Sequence, residues 1–194
     1  MGTGLASAVQ LLFSLYIYVM VLRLLMHVAR VDFFNPITQG ILKATDPLVR
    51  PVQKVIKPMA RFDFATFLVA IVLQLVAILI VQQLIGMPLG NPVSLLALVL
   101  ASLFSMVVKI YFFALIISII LSWVAPQANH PGAILVFQLT EPLLAPVRRI
   151  LPSLGGLDIS PIFVFLGLQL AEQLVTGLLL RFAGGYSMGL MGGF

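Results

Sequence analysis

The stretch ATDPLVRPVQKVIKP, residues 44–58, stands between two long apolar runs and decides how the rest of the chain is interpreted. Residues 139–153 read LTEPLLAPVRRILPS, so the same pattern of threonine, acid and spaced prolines returns 95 residues later. At this shift, proline and polar positions match without a gap. The matched pairs are Tyr16–Tyr111, Pro36–Pro131, Thr45–Thr140, Pro47–Pro142, Pro51–Pro146, Val52–Val147, Asp63–Asp158 and Gln74–Gln169. The sequence therefore predicts a tandem repeat, which we divide into residues 1–90 and 91–194.

The composition is that of an integral membrane protein. Of 194 residues, 61% are hydrophobic and 9% are charged, whereas soluble domains carry about 25% charged residues. So few charged side chains do not cover a water-facing surface. The absence of cysteine excludes disulfides, thiolate metal sites and thiol nucleophiles.

Four apolar segments are long enough to cross a bilayer, which takes about 20 residues. They are residues 5–31, 62–86, 104–124 and 161–182. Residues 92–124 as one helix would extend about 48 Å, beyond a ~30 Å hydrocarbon core. We therefore interpret residues 93–103 as a separate interfacial or tilted helix that precedes the third span. The prediction is an all-α membrane protein with four transmembrane helices, in which two spans per copy make the repeat parallel.

The distribution of basic residues predicts the orientation. The connection between spans one and two holds Arg30, Lys43, Arg50, Lys54, Lys57 and Arg61. The connection between spans three and four holds Arg148 and Arg149, while the one between spans two and three holds no basic residue. Basic connections stay in the cytoplasm. We expect both motifs there, both termini outside, and Arg50, Lys54, Lys57, Arg148 and Arg149 against anionic lipid headgroups.

Each motif connection is interpreted as two short helices that meet at an acidic-proline corner. Thr45, Asp46 and Pro47, like Thr140, Glu141 and Pro142, have the chemistry of a helix start. Pro51 and Pro146 interrupt the backbone again four residues later. The resulting hairpins are predicted to lie in the cytoplasmic interface, with a shallow re-entrant hairpin as the alternative. Asp63 and Asp158 precede spans and are predicted to cap them.

The paired motif resembles that of the YggT family, called YlmG in Gram-positive bacteria, over essentially the whole chain. The second copy departs from the first at Glu141, which replaces Asp46, and at Ala145, which replaces Arg50. The resemblance implies a small bacterial inner-membrane protein. Relatives are linked to osmotic or ion stress, to cell division and, in plastids, to the assembly of membrane complexes. The resemblance to the family implies no established biochemical activity.

Three charged residues fall within spans and away from the span ends, where charges are costly and mark functional sites. Arg23, Glu172 and Lys109 lie about 12, 16 and 22 Å from the cytoplasmic helix ends. Lys109 can extend to the outer interface. Polar stripes surround the other two: Tyr16, Arg23, His27 and Arg30 on span one, and Gln169, Glu172, Gln173 and Thr176 on span four. Because their depths match, we predict that Glu172 pairs with Arg23, as a structural lock or as part of a hydrated ion path.

Two functional classes follow from these patterns. The first is a non-enzymatic membrane scaffold or assembly factor that contacts lipid headgroups or membrane protein partners. The second is an oligomeric ion channel or transport component that uses the polar stripes. No catalytic motif is present and no cofactor is expected. Nucleic acid is not expected as a partner either, because most of the +5 net charge lies in one connection between spans.

Overall fold

The computed structural model describes residues 2–57, 62–124, 129–150 and 158–183, and these residues form six α-helices. They are α1 (Gly2–Ala29), α2 (Pro36–Gln53), α3 (Phe64–Leu84), α4 (Pro92–Val124), α5 (Pro131–Ile150) and α6 (Ser160–Ala183). Arg61 lies outside the described residues. The order long helix, motif helix, long helix occurs twice, and α2 and α5 both begin at the proline that the repeat aligns.

The four predicted spans are confirmed as helices that are long and apolar enough to cross a membrane. They are α1, α3, α4 and α6. The division at residues 90 and 91 stays a prediction.

The separate helix predicted at residues 93–103 is wrong. These residues form the first three turns of α4, which runs for 33 residues without a break. Its start is fixed by Asn91, whose side-chain oxygen accepts a hydrogen bond from the Ser94 backbone at 2.7 Å. The segment has no internal proline or glycine, and Ala97, Leu98 and Ala101 are buried. Residues 93–103 therefore pack as part of one continuous helix, whereas the comparison of helix length with bilayer thickness had predicted two helices.

The prediction of two short helices in each motif connection is also wrong. The motif residues lie inside single helices, α2 of 18 residues and α5 of 20 residues. Helix α2 starts instead at Pro36, where the Asn35 side chain accepts a hydrogen bond from Ile37 N at 2.9 Å. The Thr45 hydroxyl does not cap a helix start, since it donates back to the Ile41 carbonyl at 2.7 Å.

Helix α2 contains two internal prolines, Pro47 and Pro51, and the structure shows how it accommodates them. Pro47 and Pro51 are four residues apart, so both rings occupy one exposed side of the helix. Side chains of α1 donate to carbonyls of the turn before Pro47: Tyr16 bonds the Ala44 carbonyl at 3.1 Å and Arg23 the Leu42 carbonyl at 3.4 Å. Pro47 leaves the carbonyl of Lys43, four residues earlier, without its helical donor, and the two carbonyls bonded by α1 lie on either side of it. The tertiary contact therefore supports the helix that the local sequence disfavours.

The two copies are unequally buried. Helix α3 packs between α1, α2 and α4, and the main core includes Ile17, Met20, Ile78 and Met106. Within the most apolar window of α3, 44% of residues are buried, against 6% for the equivalent helix α6. The first copy thus contributes a central helix, whereas the second leaves its last helix at the edge.

Side-chain contacts also join the two copies where α2 and α5 begin. The Asn35 side-chain amide donates to the Pro131 carbonyl at 2.7 Å, and Asp32 N donates to the Gln138 side chain at 3.0 Å. The motif helices are therefore held side by side.

Gln74 gives a test of this packing. Its amide is fully buried in α3, with no hydrogen-bond partner among the described residues. Since an unsatisfied buried polar group costs about 1–3 kcal/mol, Gln74→Met should raise the midpoint of thermal unfolding in detergent. Gln169→Met, at the exposed equivalent position, should change it little. A lower midpoint for Gln74→Met would contradict the described environment of this amide.

Candidate functional site

A buried ion pair links α1 to the motif helix of the first copy. Arg23 Nη1 lies 2.8 Å from Asp46 Oδ1 and 2.7 Å from Thr45 Oγ1, and its side chain is 7% exposed. Arg50, one turn along α2, lies 2.7 Å from the other oxygen of Asp46. Asp46 therefore joins an arginine from within a span to an exposed arginine on its own helix.

The predicted pairing of Arg23 with Glu172 is wrong. Arg23 binds the carboxylate of Asp46, and Glu172 lies in a groove between α4 and α6. The depths estimated from the sequence placed Arg23 and Glu172 at a similar level in the membrane, but they did not show which helices lie next to each other. Helix α2 packs against α1 and supplies the nearer carboxylate.

The motif of the second copy forms a more exposed network. Arg148 bridges Glu141, at 2.9 Å, and Asp158, at 2.8 Å, and all three side chains are about half exposed. Burial lowers the pKa of Arg148, but hydrogen bonds and the charges of the two carboxylates outweigh that effect and raise it. Burial raises the pKa of Asp158, yet hydrogen bonds from Ser160 and Arg148 outweigh it and lower this pKa below its usual range. The surroundings therefore favour the charged form of both Arg148 and Asp158.

The predicted capping role is confirmed for Asp63. Its carboxylate accepts hydrogen bonds from the backbone and the hydroxyl of Thr66 at the start of α3. Asp158 likewise accepts from Ser160 N at 2.9 Å where α6 begins. Gln53 lies 2.8 Å from Asp63, as Arg148 does from Asp158, and the repeat aligns these pairs. The sequence analysis did not predict the contact of Gln53 with Asp63 or of Arg148 with Asp158, although in each copy the two partners are ten residues apart.

The remaining basic residues of the motifs lie on the surface. Lys54, Lys57 and Arg149 are exposed, and Arg50 is exposed although it binds Asp46. Their contact with lipid headgroups stays a prediction.

A second polar region lies between the long helices of the second copy. An open groove of about 590 Å³ lies between helices α4 and α6. Its polar lining consists of Ser102, Ser105 and Lys109 from α4 and of Gln169, Glu172, Gln173 and Thr176 from α6. The polar stripe predicted on the last span is thus gathered in one groove together with Lys109.

A double-mutant cycle tests the Arg23–Asp46 pair. Removing one member of a buried ion pair leaves the other charge stranded, so Arg23→Leu should cost about 3 kcal/mol of stability in detergent. Asp46→Asn should also destabilise, and the double variant should lose clearly less than the sum of the single losses.

The matched control is the cycle of Arg23→Leu with Glu172→Leu, whose losses should add. Additive losses for Arg23 and Asp46, with coupling between Arg23 and Glu172, would contradict the observed pairing.

Comparison with known proteins agrees with the repeat. The family model described as CCB3/YggT matches the chain twice, over residues 2–84 and 97–179, and both ends of the two matches differ by 95 residues. The register that the sequence predicts is therefore confirmed. No solved structure matches the chain.

Relatives of similar length cover most of the chain. "Uncharacterized protein PA0392" of Pseudomonas aeruginosa is 43% identical over 185 residues, which are 95% of this chain and 94% of the relative. A Vibrio alginolyticus protein, "Uncharacterized protein in proC 3'region", is 40% identical, over 89% of this chain and 93% of its own. "Uncharacterized protein YggT" of Escherichia coli K12 is 35% identical, over 86% of each chain. The chain belongs to the CCB3/YggT family and carries two copies of its domain.

Proposed function

We propose that the protein is a non-enzymatic scaffold of the bacterial inner membrane, which binds a transmembrane helix of another membrane protein along the α4–α6 groove. The observation that carries the proposal is the polar, exposed face of α6. Gln169 and Gln173 are exposed, and Glu172 and Thr176 are half-buried beside them. The resemblance implies that such a scaffold serves the response to osmotic or ion stress, or processes of the envelope and of division.

The physics of the bilayer explains why this face needs a partner. Hydrocarbon offers no hydrogen bonds, so a side-chain amide that faces lipid loses its bonds to water without replacement. A helix with serine, threonine, asparagine or glutamine side chains would supply donors and acceptors for these groups. The occupant is therefore defined by its chemistry as a transmembrane helix with hydrogen-bonding side chains.

One glycine of α6 leaves room for a close approach of such a helix. Gly177 is exposed, and a Cβ atom added there would meet no atom within 4 Å. It lies four residues after Gln173, about one helical turn, and so is on the same side of α6 as that exposed amide. Small residues on a helix face allow helix backbones to pack closely in membranes.

The non-enzymatic part of the proposal rests on the sequence. The chain has two histidines and no cysteine, and no motif for a nucleophile, a metal or a phosphate is present.

An oligomeric ion path is the second candidate function. Lys109 and Glu172 line the same groove and are ionisable residues within spans, a type of residue that marks ion and proton pathways. The groove opens on the side of the chain, so conduction would need several copies arranged with their grooves facing a common axis. Flux of K⁺, Na⁺ or H⁺ through liposomes that contain the purified protein would favour this function over the scaffold.

Photo-crosslinking in intact cells tests the scaffold. A photoreactive amino acid at Gln173 should capture one defined membrane protein, whereas one at Val72, on the exposed side of α3, should not. Glu172→Leu and Gln169→Leu should weaken the capture at Gln173, because they remove polar partners from the groove. A product with twice the mass of the chain would favour the oligomer. Equal products at Gln173 and Val72 would contradict the proposed groove.

We further propose that both motif helices face the cytoplasm and both termini face outward, because the basic residues concentrate in the motif connections. The chain has no cysteine, so single cysteines can be introduced directly. Cysteines at the exposed positions Val55 and Ile150 should resist an impermeant thiol reagent in intact spheroplasts, and a cysteine at Leu89 should react. Labelling of both motif positions from outside would overturn this orientation.

A further inference from the structure

The second copy repeats the set of oxygen acceptors that binds Arg23 in the first. Arg23 Nη1 contacts three groups of α2: the Leu42 carbonyl, Thr45 Oγ1 and Asp46 Oδ1. At the repeat distance, α5 places the Phe137 carbonyl, the Thr140 hydroxyl and the Glu141 carboxylate. The acceptor types are the same in both copies.

The threonine hydroxyl has the same orientation in both copies. Thr45 donates its hydrogen to the Ile41 carbonyl at 2.7 Å, and Thr140 donates to the Val136 carbonyl at 2.9 Å. Each oxygen therefore keeps its lone pairs for a donor from outside the helix. Arg23 is that donor for Thr45, whereas no described residue donates to Thr140 Oγ1, although Thr140 is only 1% exposed.

The residue that aligns with Arg23 is Ser118 on α4. Its hydroxyl donates to the Leu115 carbonyl of its own helix at 2.9 Å, so it does not replace the guanidinium group. A groove of about 680 Å³ lies in front of α5, and Ser118, Thr140 and Glu141 line it.

The number of guanidinium groups at the motif acid differs between the copies. Asp46 contacts two, those of Arg23 and Arg50. Among the described residues, the equivalent Glu141 contacts one, that of Arg148, which also binds Asp158. The adjoining segments 125–128 and 151–157 contain no Lys or Arg. One additional guanidinium group at Glu141 would restore the arrangement of the first copy.

We propose that this groove binds the guanidinium group of an arginine side chain on a partner polypeptide. The first copy provides the precedent, since its equivalent acceptors hold a guanidinium group. The volume exceeds what a bare metal ion needs, and Trp123 and Phe137 in its lining can stack on a planar cation. Ser118 lies six residues from the end of α4, about 9 Å along the helix, so an arginine can enter from the side of the membrane where the motifs lie. The site is separate from the α4–α6 groove and does not depend on the scaffold proposal.

Trp123 provides a direct readout, because it is the only tryptophan of the chain and lines the groove. The full chain in nanodiscs would be titrated with the blocked tripeptide Gly-Arg-Gly while tryptophan fluorescence is recorded. A saturable change is expected. The matched tripeptide with citrulline, which has nearly the same shape without the charge, should bind roughly tenfold more weakly, since hydrogen bonds from a charged donor are the stronger ones.

Variants locate the site. Ser118→Arg places an arginine where the first copy has one, so binding of the arginine tripeptide should fall by roughly tenfold or more, whereas Ser118→Ala should keep it. Thr140→Val should weaken binding and Thr140→Ser should preserve it. Equal binding of the arginine and citrulline tripeptides, or unchanged binding by Ser118→Arg, would overturn the proposal. Absence of a saturable change in the folded wild-type protein would overturn it as well.

Discussion

An arginine within a membrane-spanning helix must find a counter-charge, and the arrangement of the first copy depends on how Arg23 does so. A charged residue at the centre of a spanning helix costs about 2.5–3.5 kcal/mol on insertion scales. Asp46 and Thr45 satisfy the guanidinium group within 3 Å, and through this contact α2 is tied to α1. The same side chain also reaches a carbonyl of the turn before Pro47. The ion pair thus neutralises a charge and at the same time supports a helix that contains two prolines.

The same motif in the second copy works without an arginine on the preceding span. Ser118 stands at that position, and Arg148 on α5 itself supplies the cation for Glu141 and Asp158. Since these groups are about half exposed, each ion pair contributes little to stability, of the order of 0–1 kcal/mol. In the first copy the motif acid is bound by an arginine from the preceding span, whereas in the second copy the charged side chains of the motif stay about half exposed.

The long helices show a related difference. Gln74 is fully buried in the centre of the bundle, whereas Gln169, at the aligned position, is exposed on α6. Both the accessible motif and the polar face of α6 belong to the second copy. The first copy therefore supplies the more deeply buried central helix, and we propose that the second provides the surfaces for binding.

Much of the architecture could be predicted from the sequence, because apolar length and the matched prolines at Pro36 and Pro131 report spans and repeats directly. The capping role of Asp63 was also accessible, since a carboxylate before a long apolar run has few other local functions. The continuity of α2 could not be predicted from local rules, which treat Pro47 and Pro51 as breaks and ignore donors on a neighbouring helix. The partner of Arg23 was missed because depth along a helix carries no information on which helices are neighbours.

The central claim is that Arg23 is neutralised by Asp46, and a distance measurement in lipid bilayers tests it most directly. Solid-state NMR can measure dipolar coupling between ¹⁵N-labelled guanidinium groups and ¹³C-labelled aspartate carboxyl carbons. In a background with Arg50→Lys and Arg148→Lys, which removes the other two arginines that bind aspartates, a strong coupling should remain, in agreement with the 2.8 Å separation of Arg23 Nη1 and Asp46 Oδ1. It should disappear when Arg23 is also replaced by Lys. Loss of the coupling already in the protein with Arg50→Lys and Arg148→Lys would contradict the account.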